Sequence, residues 1–246
     1  MIVNEGYDLV YRVIDTFKDE VYKAIDEHSD ILTPKLLEEK HFRIFEVSDL
    51  THFVSRLIAH KSSSTKYGIK QLEDLLLEHE DRWSRVPYRT KTTYSVLDNK
   101  INIRCLYIAI NISILPIEVF HNLHRFESYL EFTKIDARHE VGHMLDSVMT
   151  YQGIPIDEFD EKIEVDNAEM EEFQKWKHEY VEDISKKNPS PREIAIINKE
   201  FSSRYYKLQA EWRADTLGGV DRQKYLDSLY DTTENPARIK IEIVKE

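Results

Sequence analysis

One stretch constrains this chain more than any other: Arg138-His139-Glu140-Val141-Gly142-His143-Met144-Leu145-Asp146. It contains the pattern His-Glu-x-x-His. On an α-helix, His139 and His143 project from the same face because they are four residues apart. Two imidazoles on one face can bind a single metal ion, and Glu140 lies beside them. The motif therefore predicts a helix whose polar face is turned toward a metal site.

The residues around the motif favour a half-buried helix. We expect it to run over about 136–149, with Asp136 as its cap and with Ile135, Leu145 and Val148 on the apolar side. Gly142 is an unfavourable choice inside a helix, by roughly 1 kcal/mol relative to Ala. We therefore expect another stretch of backbone to approach the helix closely at Gly142.

The two histidines supply two nitrogen ligands of a tetrahedral Zn²⁺, and one zinc ion per chain is the expected cofactor. A third ligand has to come from downstream, and the best candidate is Glu211. Asp215 lies four residues after Glu211 on the same predicted helix, where it can accept the outer N–H of a ligating histidine such as His139. The alternative is an amphipathic helix with a solvated acidic edge.

These residues also carry a family resemblance. The pattern His139-Glu140-x-x-His143 followed by Glu211-x-x-Ala-Asp215 resembles the gluzincin group of zinc metallopeptidases. Within that group, the stretch Glu-x-x-Ala-Asp-x-Leu-Gly is similar to ImmA/IrrE-type peptidases. The stretch His-Glu-x-Gly-His-x-x-Asp resembles anthrax lethal-factor-like peptidases. The resemblance covers two short segments of the chain.

The resemblance implies a zincin-like catalytic domain and a zinc metalloendopeptidase that hydrolyses a protein or peptide. In such an enzyme the third ligand is a glutamate on a later helix, here Glu211. Glu140 would act as general base toward water and then as general acid toward the leaving amine. Asp215 and Asp146 would support the ligands from outside.

Two further roles follow from the resemblance. Tyr205 or Tyr206 would donate a hydrogen bond to the oxyanion of the tetrahedral intermediate, although aromatic packing is the alternative for at least one of them. The segment Ile108-Ala109-Ile110-Asn111-Ile112 would be the edge strand to which an extended substrate adds. Its residue pattern alone predicts only a strand.

An acidic insertion between the two motifs offers rival third ligands. Seven side chains lie nearer to His143 in sequence than Glu211 does: Glu161, Glu164, Asp166, Glu169, Glu171, Glu172 and His178. We prefer Glu211 because of Asp215, its apolar helical frame and the resemblance. The insertion is expected to be a solvated face that flanks a cleft.

The remaining pattern predicts an α+β, predominantly helical protein with a small sheet. Residues 1–90 form an N-terminal helical region, either separate from or integral to the catalytic domain of 91–246, whose insertion spans about 152–190. Predicted helices cover 9–25, 34 onward, 50–58, 71–83, 116–132, 169–185 and 191–217; predicted strands cover 41–47, 93–96, 101–103, 106–115 and 238–243; and a linker-like loop covers 61–68. His121 and His124 are expected to be packed or solvent-facing rather than a second metal pair.

Composition limits the partners. The formal net charge is −12, which disfavours binding to nucleic acid or to an anionic membrane surface. The single cysteine, Cys105, cannot form an internal disulfide and lies in an apolar run, so we expect a core side chain in a cytoplasmic protein. No secretory signal or membrane-spanning run is evident. The substrate and the oligomeric state are left open.

Two other classes of function compete with the peptidase. A binding or regulatory protein on a zincin scaffold would hold a structural metal, closed by a fourth protein ligand such as His178. A helical interaction protein in which the motif is coincidental would hold no metal at all.

Overall fold

The computed structural model describes residues 2–48, 86–185 and 189–229. Over these residues the chain is mostly helical with one small sheet. The helices are α1 (Ile2–Glu27), α2 (Pro34–Glu39), α3 (Leu115–Asn122), α4 (Phe126–Asp146), α5 (Ile156–Ser185), α6 (Pro191–Tyr205), α7 (Gln209–Leu217) and α8 (Arg222–Leu229). The strands are β1 (Arg43–Val47), β2 (Tyr88–Leu97) and β3 (Lys100–Asn111). A 3₁₀ turn, Leu123–Arg125, precedes α4, and a π-helical turn, Ser147–Tyr151, follows it. The α+β class expected from the sequence is confirmed.

The sheet has the order β1-β3-β2, so β3 is its central strand. β1 pairs with β3 in parallel, and β2 pairs with β3 as an antiparallel hairpin. Asp98 and Asn99 join the hairpin with φ angles of 51° and 59°, which is the backbone of a tight two-residue turn that matches strand twist. β3 therefore has a hydrogen-bonded strand on each side.

The central position of β3 overturns one prediction. Ile108, Ala109, Ile110 and Asn111 were expected to form an edge strand, but the first three each pair with β1 on one side and β2 on the other. Asn111 pairs with Val47 of β1, and its amide donates to the Pro87 carbonyl just before β2. The expectation is wrong because a continuous apolar, β-branched run is typical of a strand inside a sheet whose two faces are both covered, rather than of an edge strand. Among the described strands, the edges of the sheet are β1 and β2.

The core lies between the sheet and helices α1 and α4. It includes Phe17 and Val21 of α1, Ile108 of β3, and Met144 and Leu145 of α4. The segment 2–48 thus contributes a helix and a strand to the same core as the motif helix. Residues 49–85, which adjoin the predicted boundary near residue 90, lie outside the described residues.

Several predicted helix ends are confirmed. The Thr33 hydroxyl accepts a hydrogen bond from the Leu36 amide at 3.1 Å, with Pro34 at the first helical position. Ser190 and Glu193 form a reciprocal capping box at the start of α6. The Cys105 side chain is buried, as expected for a core position.

Several predicted boundaries are wrong. The helix expected over 116–132 is interrupted by the 3₁₀ turn Leu123–Arg125 and is divided between α3 and α4. The strand expected over 106–115 ends at Asn111, because the Asn111 side chain accepts the Ser113 amide and turns the chain. The motif helix begins at Phe126, so Asp136 lies inside it and does not cap it. The expected helix 191–217 is broken at 206–208, where Leu208 is extended. The insertion forms one continuous helix, α5, rather than a solvated segment followed by a helix.

Some predicted elements fall in parts of the chain that the structure does not describe. The helices at 50–58 and 71–83, the loop at 61–68 and the strand at 238–243 lie outside the described residues. Within the parts of the chain that are described, none of the helices has the length and apolar composition that crossing a membrane requires.

Candidate metal centre

The structure brings together the three side chains that the sequence singled out as ligands. His139 and His143 project from α4 toward Glu211 on α7, and their ligand atoms converge. The Nε2 atoms of His139 and His143 are 3.1 Å apart. The Glu211 Oε2 atom is 3.1 Å from the first of these nitrogens and 3.5 Å from the second. This buried group could hold a metal ion.

The size of this triangle tests whether an ion fits. In a tetrahedral site with ligands about 2.0–2.1 Å from the metal, neighbouring ligand atoms lie about 3.3–3.4 Å apart. The three observed separations, 3.1, 3.1 and 3.5 Å, bracket this value. An ion can therefore bind to all three atoms with only small movements of the side chains.

The charges of the triangle are strongly coupled. Burial alone would lower the pKa of His139, but its hydrogen bonds to Asp215 and Glu211 outweigh burial and raise the pKa to about 10. Burial likewise opposes ionisation of Glu211, yet the neighbouring histidines lower its pKa well below the ordinary range. In the metal-free protein a proton on His139 thus occupies the position that a cation would take.

A second set of charges holds His139 from behind. Its Nδ1 atom is 2.7 Å from Asp215 Oδ1, as the sequence predicted for that aspartate. Arg222 of α8 donates to both oxygens of Asp215, at 2.7 and 3.0 Å, and its guanidinium lies 3.8 Å from the centre of the Tyr206 ring. Asp215 therefore stays ionised, with its pKa lowered although burial opposes this, and fixes the tautomer of His139.

The network ends at Asp136, a partly buried carboxylate on the motif helix. Asp136 Oδ1 lies 3.7 Å from Arg222 Nη1. Burial raises the pKa of Asp136 to about 6, against the opposing effect of the Arg222 charge. Asp136, expected to be a helix cap, instead faces the guanidinium that holds Asp215.

Glu140 is placed differently from the ligands. Its side chain is buried, and its Oε2 atom accepts no hydrogen bond from the described residues. Its backbone carbonyl accepts a hydrogen bond from the Thr90 hydroxyl at 2.8 Å, which ties β2 to α4 at this residue. A buried carboxylate oxygen without a hydrogen-bond donor is energetically unfavourable. Its presence in a native structure calls for an explanation, and a catalytic role is one such explanation.

Comparisons with family models, curated proteins and solved structures found no match. The resemblance to gluzincin peptidases therefore rests on the two sequence motifs.

The two tyrosines lie against different parts of the centre. The Tyr205 hydroxyl donates to Glu211 Oε1 at 2.6 Å, and burial raises the pKa of this phenol well above its ordinary value, so that it remains a neutral donor. The rings of Tyr206 and His139 pack nearly perpendicular to each other, with 5.7 Å between ring centroids. Tyr206 thus packs against a ligand, and Tyr205 hydrogen-bonds one.

Asp146 contacts the helix that carries Glu211 rather than a ligand itself. Its carboxylate accepts from Arg213 Nε at 2.9 and 3.1 Å and from the Thr150 hydroxyl at 2.8 Å. Because Arg213 lies two residues after Glu211, Asp146 ties the end of α4 to α7. Its support of the site is one step more remote than the sequence suggested.

Two glycines allow α4 and α7 to approach each other. A Cβ atom at Gly142 would lie 1.9 Å from the carbonyl oxygen of Ala214, and one at Gly218 would lie 2.3 Å from that of Arg138. The close approach predicted at Gly142 is confirmed. It brings Glu211 within reach of the two histidines.

The rival ligands in the insertion do not join the centre. Among the described residues, the metal-binding group consists of His139, His143 and Glu211, and no fourth side chain such as His178 completes it. Three protein ligands leave one tetrahedral position for water or substrate, which is typical of catalytic rather than structural zinc sites. His121 and His124 are exposed on the surface, in agreement with the simpler prediction.

The sequence did not indicate the roles of three residues that hold the site: Arg222, Arg213 and Glu169, the last of which was considered only as a rival ligand. Two cavities of about 540 and 580 Å³ border α7, the first lined by Arg222 and the second by Arg213. Neither cavity is lined by the three ligands. Arg222 lies only seven residues after Asp215 in the sequence. Because a turn separates the two helices, this spacing does not predict that Arg222 contacts Asp215.

Proposed function

We propose that the protein is a zinc-dependent metallopeptidase that hydrolyses peptide bonds of a protein or peptide. The observation that carries this proposal is the convergence of His139, His143 and Glu211 next to Glu140 on the same helix, whose buried Oε2 atom has no hydrogen-bond partner among the described residues. Two imidazoles and one carboxylate form a donor set that suits zinc better than magnesium or calcium, which prefer oxygen ligands. Zinc bound there would supply Lewis-acid chemistry that makes water nucleophilic at neutral pH.

Glu140 performs the proton transfers in this proposal. Its free Oε2 atom accepts a proton from the attacking water and later delivers it to the nitrogen of the leaving amine. Burial keeps bulk water from competing for this carboxylate. The hydrogen bond from the Thr90 hydroxyl to the Glu140 backbone carbonyl fixes the position of Glu140 relative to β2.

Tyr205 orients Glu211. Its hydroxyl bonds the carboxylate oxygen Oε1, which leaves Oε2 directed at the two histidines. The family resemblance implied that Tyr205 donates a hydrogen bond to an oxyanion. For this role the phenol must release Glu211 and donate to the substrate oxygen instead. Tyr206 packs against His139.

The substrate would bind along β2. This strand has β3 on one side only among the described strands, and its Thr90 side chain contacts Glu140. An extended peptide can add to such an edge by main-chain hydrogen bonds. β2 therefore replaces β3 as the proposed edge strand of the cleft.

The test is a Glu140→Gln variant, assayed on a peptide library together with its zinc content. We expect zinc to be retained and cleavage to be abolished, because the amide cannot accept a proton. Glu127→Gln is the matched control, since Glu127 is an exposed glutamate at the start of the same helix. Full activity in Glu140→Gln, or a zinc-loaded wild type that cleaves nothing in the library, would contradict the proposal.

A further inference from the structure

The insertion helix α5 presents three side chains to the segment that carries Glu211. Asp166, Glu169 and Phe173 are spaced i, i+3 and i+7, so they lie on one face of α5. They are partly or fully buried, whereas Glu161, Glu164, Glu171 and Glu172 on the other faces are exposed. The helix therefore has an inner face with specific contacts and an acidic outer face.

The first contact is an ion pair across two helices. Arg213 of α7 donates from Nη2 to Asp166 Oδ2 at 2.7 Å and from Nη1 to Asp166 Oδ1 at 3.3 Å. The same guanidinium bonds Asp146 through Nε. Asp166 and Asp146 thus hold Arg213 from two sides in a planar, forked geometry that a lysine could not reproduce. Glu211 lies two residues away on the same helix.

The second contact completes the N-terminus of α7. Leu208 occupies the capping position and offers no side-chain acceptor. Glu169 supplies one instead, because its Oε2 atom accepts from the Gln209 amide at 2.8 Å. A carboxylate at this end also interacts favourably with the helix dipole. The first turn of α7, which includes Glu211, is therefore capped from α5.

The third contact is aromatic. The ring of Phe173 packs against Tyr205, with 5.8 Å between centroids, and Tyr205 donates to Glu211. Trp176 continues this packing against Phe201 of α6. All three contacts therefore lead from one face of α5 to the same carboxylate.

We propose that α5 positions the third metal ligand, with Asp166 and Glu169 as positioning residues that act on Glu211 through α7. This inference rests on the proposed function, because it concerns the same metal site. Asp166 and Glu169 are therefore neither ligands nor merely solvated charges, because they hold the ligand helix in register with α4. The exposed acidic side chains of the outer face remain solvated.

The experiment compares two double variants that each remove two negative charges from α5. Asp166→Asn/Glu169→Gln alters the inner face, and Glu164→Gln/Glu172→Gln alters the outer face as the matched control. Each protein is titrated with Co²⁺, and the visible absorption of the bound ion is recorded. We expect the inner-face variant to bind Co²⁺ roughly 10- to 100-fold more weakly, as is usual when a supporting residue of a metal site is lost. Its absorption spectrum changes as Glu211 leaves the ion, whereas the control matches wild type.

A second readout uses the metal-free proteins. Hydrogen exchange of the amides of residues 209–217 should be faster in the inner-face variant and unchanged in the control. If the wild type binds metal without cleaving peptides, the proposed function fails, and Co²⁺ affinity and exchange in α7 still decide this inference. If the wild type binds no metal, both the proposed function and this inference fail. If the inner-face variant does not fold, Glu169→Gln alone, which keeps the Arg213 ion pair, is compared with Glu172→Gln by both readouts. Equal Co²⁺ affinity and equal exchange in inner-face and control variants would overturn the inference.

Discussion

Replacing Gly142 by Ala tests whether the contact of α4 with α7 sets the metal site. The added Cβ would lie 1.9 Å from the Ala214 carbonyl oxygen and 2.6 Å from its carbonyl carbon. Carbon and oxygen atoms in contact lie about 3.3–3.6 Å apart, so the two helices must separate by about 1 Å or more at this point. The obstacle is backbone, which cannot rotate away as a side chain would.

The size of the effect follows from this displacement. Overpacking of a core contact is unfavourable by about 1–3 kcal/mol, and the clash with backbone places Gly142→Ala at the upper end. The better helix propensity of Ala offsets about 1 kcal/mol. We expect net destabilisation of about 2 kcal/mol, which corresponds to a fall in Tm of roughly 4–8 °C for a domain of this size. Metal–ligand distances tolerate only about 0.2 Å, so Glu211 should leave the site.

The assay combines thermal denaturation of the metal-free protein with zinc titration. Gly142→Ala should show the lower Tm and zinc affinity reduced by at least about tenfold. Ser128→Ala is the control, because Ser128 is an exposed residue of the same helix, and it should resemble wild type. Wild-type zinc affinity in Gly142→Ala, with unchanged or higher Tm, would refute the reasoning.

Three further predictions concern the neighbours of the ligands. Asp215→Asn should weaken zinc binding about 10- to 100-fold in calorimetric titrations, because the amide no longer fixes the tautomer of His139; unchanged affinity would contradict this. Tyr205→Phe should weaken zinc binding less than Glu211→Gln does, since it removes only the hydrogen bond that orients Glu211; equal losses would contradict this. In the metal-free protein the pKa of His139 is raised to about 10 from an ordinary value near 6.5, so its contribution to stability is complete below pH 6.5 and is lost as the pH rises through 10. The Tm of the metal-free protein should therefore fall over this range more steeply than that of His139→Gln, and parallel curves would contradict this.

The candidate metal-binding group could be predicted from the sequence because the pattern that places its two histidines together is local. Four-residue spacing places His139 and His143 on one helical face whatever the rest of the fold does. The glycine at 142 signalled that another backbone comes close, and the structure identifies that backbone as α7. Glu211 was favoured over the insertion by its own helical neighbour Asp215, which the structure places on His139.

The errors came where the outcome depends on neighbours distant in sequence. A β-branched run predicts a strand, but whether Ile108 lies at the centre or the edge of a sheet depends on which strands pair with it. Asp136 was predicted to be a helix cap from its residue type and its position before the motif. The local sequence could not show its actual partner, Arg222, which belongs to a helix far along the chain. Asp166 and Glu169 looked like solvated charges because their partners are likewise remote. Tertiary contacts decided each of these cases.

The most direct measurement of the central claim is the zinc content of the purified protein, determined by elemental analysis after reconstitution and dialysis. Wild type is compared with His143→Gln, Glu211→Gln and the surface control Glu172→Gln. We expect about one zinc per chain in wild type and in the control, as for a single three-ligand site, and little zinc in the two ligand variants. Full zinc content in Glu211→Gln, or none in wild type, would contradict the claim that His139, His143 and Glu211 form a metal centre.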